Sequence, residues 1–211
     1  MAELTLYADS SWESPWAFHA MVALEEIKVR YKLEPLPMPI PADMRLKLQR
    51  NAYLGKIPCL VHGELWLTES SAISEYLAEQ FPPPQHPPIY PTELTARARA
   101  RQVMSWLRTS LSALRDERPT RSVFQHPVAK PLSDKARADA DDLVRIAGQL
   151  IPHEATQLFA TWSIADADLA LMLMRLVANS DQVPARIIDY AIAQWGRASI
   201  RKFLGYIPTS H

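Results

Sequence analysis

Apolar positions change their spacing along the chain, and a proline-rich stretch near the middle divides two patterns. Leu4 to Tyr7 (LTLY) predicts a short strand. Pro15 to Glu26 carries Phe18, Met21, Val22 and Leu24 on or near one face. Pro15 stands at the first helical position, where its missing N–H costs nothing. Val29 to Pro37 predicts a second strand, which its prolines confine to an edge or cut short. Ala42 to Arg50 predicts a short basic helix. CLVHGELWL gives two apolar runs around His62-Gly63, a hairpin signal. Ser70 to Phe81 places Ile73, Tyr76, Leu77 and Phe81 at helical spacing.

After the prolines the pattern is helical throughout. Val103, Leu107, Leu111 and Leu114 form the stripe of one helix expected from about Glu93 to Arg118. Leu143, Ile146 and Leu150 mark a second. Ile164 to Ala178 is apolar nearly all round and predicts a central buried helix. Pro184 opens another, with Ile187, Ile188, Ala191, Ile192 and Trp195.

Glycine is scarce at 5 and proline plentiful at 18, so proline punctuates the chain. PPPQHPPIYP, from Pro82 to Pro91, reads as an extended, semi-rigid linker because proline fixes φ and removes donors. The expected organisation is an α/β domain over 1–81, a linker over 82–92 and an all-α helical bundle over 93–211. The first has the order βαβαββα, which is that of a thioredoxin-like domain.

Charge changes this picture little. Lys plus Arg equals Asp plus Glu at 23 each, so no global field favours nucleic acid or an anionic membrane. The single cysteine, Cys59, excludes an intramolecular disulfide and a CxxC redox pair. Six scattered histidines give no metal-ligand spacing. The N-terminal residues lack the basic and apolar runs of a signal peptide, and Ile164 to Ala178 is too short to span a bilayer. The expectation is a soluble cytoplasmic protein with no metal, nucleic-acid or membrane partner.

Three segments carry candidate chemistry. In ESSAISEYL, Glu69 to Leu77, serines sit at a predicted helix start, where unpaired N–H groups and the positive dipole end suit a carboxylate. Glu69 beside Ser70 would suit an ammonium; the plain alternative is a serine cap with a solvated acid. In Lys56-Ile57-Pro58, a cis proline would leave the backbone of Ile57 open to a peptide ligand, as an added strand. The plain alternative is a proline opening an edge strand. Ser14, directly before Pro15, is the natural N-cap of the first helix, and its hydroxyl could stabilise a thiolate held nearby. Ser10 and Ser11 are rivals for that role, and a simple cap is again the plain alternative.

SPW, GKIP, ESSAISEYL and SIADADLAL together resemble the cytosolic glutathione transferases over essentially the whole chain. RARARQ, RDERPT, DYAIAQW and RAS resemble the bacterial YfcF-type group. The resemblance implies a glutathione S-transferase that activates its co-substrate's thiol, with glutathione-dependent peroxidase activity besides. It implies no cofactor beyond glutathione, a small electrophile or hydroperoxide as second substrate held between the domains, and a homodimer. Ser14 would hydrogen-bond the thiolate, with Tyr7 on the first strand as runner-up and Ser11 as a further alternative. Ile57, ahead of cis-Pro58, would pair with the cysteinyl backbone. Glu69 and Ser70 would bind the γ-glutamyl end, and Lys56, or more loosely Arg45 or Arg50, the glycyl carboxylate. In SIADADLAL, Ser163 and Asp166 have capping-box spacing. Where related dithiol proteins carry C-P-x-C, this chain has Ser14-Pro15-Trp16-Ala17. That argues against a dithiol oxidoreductase and leaves Cys59 as a small buried hydrophobe.

Arg97, Arg101, Arg108 and Arg115 fall within about 40° on a helical wheel. The expected reading is a solvated face paired with acids; the sharper one is a dimer cleft that attracts anionic glutathione. A non-catalytic interaction module of the same fold, or a glutathione-dependent reductase, lyase or isomerase, stays open as an alternative function.

Overall fold

A computed structural model describes residues 3–208; positions 1–2 and 209–211, included in the expected domain spans, lie outside the described residues. The chain divides into two compact units, the first ending at Ile89 and the second beginning at Tyr90.

The first unit runs β1 (Leu4–Asp9), α1 (Pro15–Ile27), β2 (Tyr31–Leu36), α2 (Ala42–Ala52), β3 (Cys59–His62), β4 (Leu65–Thr68) and α3 (Ser70–Gln80). The order is βαβαββα, and the sheet order is β2-β1-β3-β4. Because α1 carries the chain back across the sheet, β1 and β2 pair in parallel, whereas β3 pairs antiparallel with β1 and β4. Pro35 lies in β2, and the edge position of that strand accommodates its missing donor. Gly63 turns the β3–β4 hairpin at φ 61°, a conformation glycine adopts without penalty.

Side chains alternate across β1. Leu4, Leu6 and Ala8 are buried, while Tyr7 joins Leu48, Ala52 and Cys59 in a cluster beneath α2. The opposite face is covered by α1 and α3, tied together by a buried 2.9 Å hydrogen bond between His19 Nε2 and Ser74 Oγ. The segment after α3 stays with this unit: His86 Nδ1 donates to Ile27 O at 3.0 Å, and its ring meets Phe81 edge-on.

The second unit is helical: α4 (Leu94–Thr109), α5 (Ser112–Glu117), α6 (Thr120–Phe124), α7 (Asp134–Leu150), α8 (Ile164–Val177), α9 (Ala185–Trp195) and α10 (Ala198–Leu204). The single helix expected over 93–118 is broken. Ser110 is extended and Leu111 turns left-handed at φ 58°, which starts α5 in a new direction. The short helices α6 and α10 were not anticipated.

At the centre lies α8, with Ile164, Ala167, Leu169, Ala170, Leu173 and Leu176 fully buried. Removing each large aliphatic side chain from water contributes about 1.5–3 kcal/mol. The start of α8 is anchored by polar groups. Ser163 and Asp166 form a capping box, and Asp166 Oδ2 accepts from the backbone N–H and hydroxyl of Ser163 at 2.9 and 3.1 Å. Asp166 Oδ1 accepts from Leu158 N–H at 2.7 Å and from the Tyr190 hydroxyl at 2.9 Å. A bidentate pair between Arg118 and Asp181, at 2.7 and 2.9 Å, holds α5 against the segment after α8.

The break after Thr109 also dissolves the arginine stripe as one helical face, because Arg115 now belongs to α5. Arg108 is ion-paired with Asp168 on α8, and Arg115 Nη1 donates to Arg108 O at 2.7 Å. The Arg101 guanidinium lies 5.6 Å from the centre of the Tyr90 ring.

Candidate active site

The sheet register gathers three segments at one end of the first unit. Tyr7 stands opposite Cys59, and Cys59 stands opposite Thr68. Immediately beyond that row lie the turn after β1, the residues before β3 and the start of α3. These carry Ser14, Ile57-Pro58 and Glu69-Ser70 respectively.

Ser14 caps α1. Its backbone is extended at φ −73°, ψ 119°, and its Oγ accepts from Ala17 N–H at 3.2 Å, the bond that favours serine at this position. The hydroxyl is half-buried, and its own proton can be donated outward. The turn leading to it is shaped by Asp9, which sequence reasoning did not single out. Asp9 is 3% exposed, and its Oδ2 accepts from Ser11 Oγ at 2.9 Å, Glu13 N–H at 2.8 Å and Ser14 N–H at 3.3 Å. Trp12 within this turn is buried and held at φ 56°, an uncommon conformation for a bulky residue. The signal available in the sequence was an acid closing β1 five residues ahead of Ser-Pro; only the return of the turn onto it gives it a role.

Ser11 therefore gives its proton to Asp9, while the exposed Ser10 donates its N–H to Leu36 O at 2.8 Å. Tyr7 lies in the layer beneath α2. Its ring stacks on Trp66 with centroids 5.7 Å apart, and Lys47 Nζ lies 5.0 Å from the centre of the Trp66 ring.

The Ile57–Pro58 peptide is cis, and Ile57 lies outside the β3 ladders, just ahead of them. Pro58 is buried, Ile57 is half-buried and Lys56 is exposed. Arg45 comes close to this segment from α2: a Cβ on Gly55 would stand 2.9 Å from Arg45 Cγ. Arg50, also on α2, is exposed.

Glu69 is the N-cap of α3, at φ 67°, ψ 108°, and makes no side-chain cap bond. It is exposed, whereas Ser70 is buried in the first turn. The first N–H groups of α3 thus lack the usual side-chain acceptor from the cap, beside the positive end of the helix dipole. Cys59 is fully buried, and burial pushes its thiol up to about 12. It belongs to the α2 cluster and is not a reactive sulfur. Among the described residues no group of three or more His, Cys, Asp or Glu is placed to hold a metal ion, and no helix is long and apolar enough to cross a membrane.

A βαβαββα unit with a helix-capping serine, a cis-proline segment and a helix start at one sheet end, followed by a helical unit, defines the glutathione transferase class of fold. Residues 2–79 match the family model "Glutathione S-transferase, N-terminal domain", and residues 93–208 match "Glutathione S-transferase, C-terminal domain". The chain belongs to the glutathione S-transferase family.

Among curated relatives, glutathione S-transferase T1 of Arabidopsis thaliana is 31% identical over 159 residues, covering 67% of this chain and 61% of that protein. Glutathione S-transferase T3 of the same plant is also 31% identical, but the match covers only 25% of its length. The chain thus spans less than two thirds of these relatives. A solved glutathione transferase homolog from Burkholderia GL BGR1, with bound glutathione, superposes with a TM-score of 0.77 at 30% identity, covering 96% of both chains.

Proposed function

We propose that this protein is a glutathione transferase in which Ser14 stabilises the glutathione thiolate for attack on a small electrophile. The carrying observation is the Tyr7–Cys59–Thr68 row, which aligns the Ser14 turn, Ile57 and the start of α3 at one sheet end. The glutathione-bound Burkholderia relative adds support.

In this reading the α3 N-terminus and Ser70 take the γ-glutamyl carboxylate, and the exposed Glu69 takes the ammonium beside it. Ile57 meets the cysteinyl backbone as an added strand would. Lys56, joined by Arg45 across Gly55, takes the glycyl carboxylate; the position of Arg45 makes it a better companion than Arg50. The thiol loses its proton to solvent, and Ser14 Oγ–H donates to the sulfur while the helix end favours its charge. The sulfur then bonds the electrophilic carbon, and the leaving group departs with the bonding pair. No covalent enzyme intermediate forms, so rate comes from thiolate supply and orientation.

Ser14 is favoured over Tyr7 because the tyrosine ring is committed to the Trp66 stack, and over Ser11 because that hydroxyl donates to Asp9. Membership of the YfcF-type group, a glutathione-dependent peroxidase activity, a homodimer and a cytoplasmic location belong to the same proposal.

The test is a pH titration of thiolate absorbance for glutathione bound to wild type, Ser14→Ala and Tyr7→Phe. Wild type should ionise bound glutathione below the free thiol's pKa of about 8.5. Ser14→Ala should abolish that shift, and Tyr7→Phe should keep it. A wild type that binds no glutathione would favour the interaction-module reading.

A further inference from the structure

We infer that Asp9 is a positioning residue for thiol activation: its carboxylate holds the turn that aims Ser14 and keeps Ser11 from competing for the sulfur. This rests on the Ser14 reading above. Four observations carry it. Asp9 lies at the last position of β1, so its main chain is fixed by pairing with Leu36 of β2. From that rigid base one carboxylate oxygen gathers three donors from residues 11, 13 and 14, and so closes the loop back upon the strand. The loop contains Trp12 at φ 56°, a conformation that persists only where surrounding bonds over-determine it. Finally, Asp9 Oδ1 is buried and has no hydrogen-bond partner among the described residues.

The last point shows that the turn is held at a cost. One acceptor oxygen is enough to receive these donors, and an unpaired buried oxygen carries a desolvation cost. A carboxylate offsets that cost only if its charge-assisted bonds, roughly twice as strong as those of a neutral acceptor, are what the turn requires. Ser14 is bound twice in consequence. Its N–H is held by Asp9, and its Oγ is held by Ala17 N–H. The Ser14 hydroxyl proton stays available to a ligand, whereas Ser11 Oγ donates to Asp9.

The sign of one measurement separates position from charge. Removing a negative group near the sulfur would, through lost Coulomb repulsion alone, make the thiol more acidic. Loss of position makes it less acidic. The experiment compares wild type, Asp9→Ala, Asp9→Asn and Ser14→Ala by thiolate titration of bound glutathione, the pH profile of kcat/KM with an aryl halide, and thermal melts. Asp9→Ala should move the bound thiol's pKa up toward its free value and lower kcat about 10-fold or more, with KM for glutathione within about 2-fold. Asp9→Asn keeps an acceptor oxygen and should retain part of the pKa shift, with kcat lowered about 3-fold.

If both variants melt lower while their pH profiles match wild type, Asp9 only holds the turn and the inference falls. If the bound thiol becomes more acidic in both, charge rather than position is at work, and the inference falls again. Should Asp9→Ala not fold, Asp9→Asn alone decides it: an unchanged kcat and pH profile overturn the idea. Should Ser14→Ala itself keep the wild-type profile, the Ser14 reading fails, and that outcome is distinguishable from the others.

Discussion

Asp166 shows how one carboxylate can organise a buried region. It is fully buried and accepts from Ser163 N–H, Ser163 Oγ, Leu158 N–H and Tyr190 Oη. Burial, which disfavours the anion, outweighs the four donated bonds and raises its pKa above the ordinary 3.8. A raised folded-state value means that the folded form holds the proton more tightly. The contribution of Asp166 to stability is therefore fully present below the unfolded pKa, and it declines as pH rises through the folded value. Asp166→Ala, which orphans four donors, should cost about 3 kcal/mol in denaturant unfolding at pH 7. Asp166→Asn should cost less, and its deficit should shrink between pH 4 and pH 7 because amide does not titrate. A deficit that grows over that window would contradict the assignment.

The element scale separates what the sequence could reveal from what it could not. Strands and helices of the first unit follow from spacing and from proline: Pro15 opens α1, Pro35 marks the edge strand and Pro58 precedes β3. The break after α4 was illegible, because no glycine or proline stands at Ser110-Leu111 and leucine is a good helix former. Its cause is tertiary: Leu111 is buried, and α5 packs on α7 with Leu114 N–H donating to Asp139 at 3.1 Å. At the candidate site, the cap by Ser14 was readable from Ser-Pro, whereas the part of Asp9 depends on a loop folding back, which no spacing rule encodes. Two substitutions test elements directly. Lys28 caps the C-terminus of α1 left-handed at φ 60°, ψ 40°, and is exposed. Lys28→Gly should raise stability by roughly 0.5–1 kcal/mol in equilibrium unfolding. Gly55→Ala should instead displace Arg45, because its Cβ would come 2.9 Å from Arg45 Cγ. The expected result is a several-fold rise in KM for glutathione, read by steady-state kinetics, with kcat little changed because the proposed role of Arg45 is at the glycyl end.

At the scale of the whole molecule, the chain assigns its polar networks to separate duties. Two of the first unit's four described left-handed non-glycine residues stand at the candidate site, Trp12 in the turn and Glu69 at the α3 cap. The second invests in buried ion pairs, Arg118 with Asp181 and Arg108 with Asp168. Breaking one partner of such a pair leaves a charge stranded in the interior, so Asp181→Ala should cost about 3 kcal/mol in global unfolding. Alkaline conditions bear on the first unit. The Cys59 thiol, at about 12 when folded, sits above its ordinary 9.0, so the stability it supports is full below pH 9. That stability is lost as pH climbs from 9 towards 12. Cys59→Ala should flatten this alkaline decline in a pH series of thermal melts.

The same buried sulfur has a bearing on survival under oxidative stress. If the proposed function holds, the protein works beside oxidised glutathione, which captures accessible cysteines as mixed disulfides. Cys59 is the only cysteine in the chain, has 0% exposure, and follows the residues proposed to hold the tripeptide. Burial raises the thiol's pKa far above neutral, so the attacking thiolate is scarce. The folded protein should therefore keep its intact mass through prolonged exposure to oxidised glutathione, and gain the adduct only once unfolded. On the proposed function, the protein would resist inactivation by the spent form of its own co-substrate.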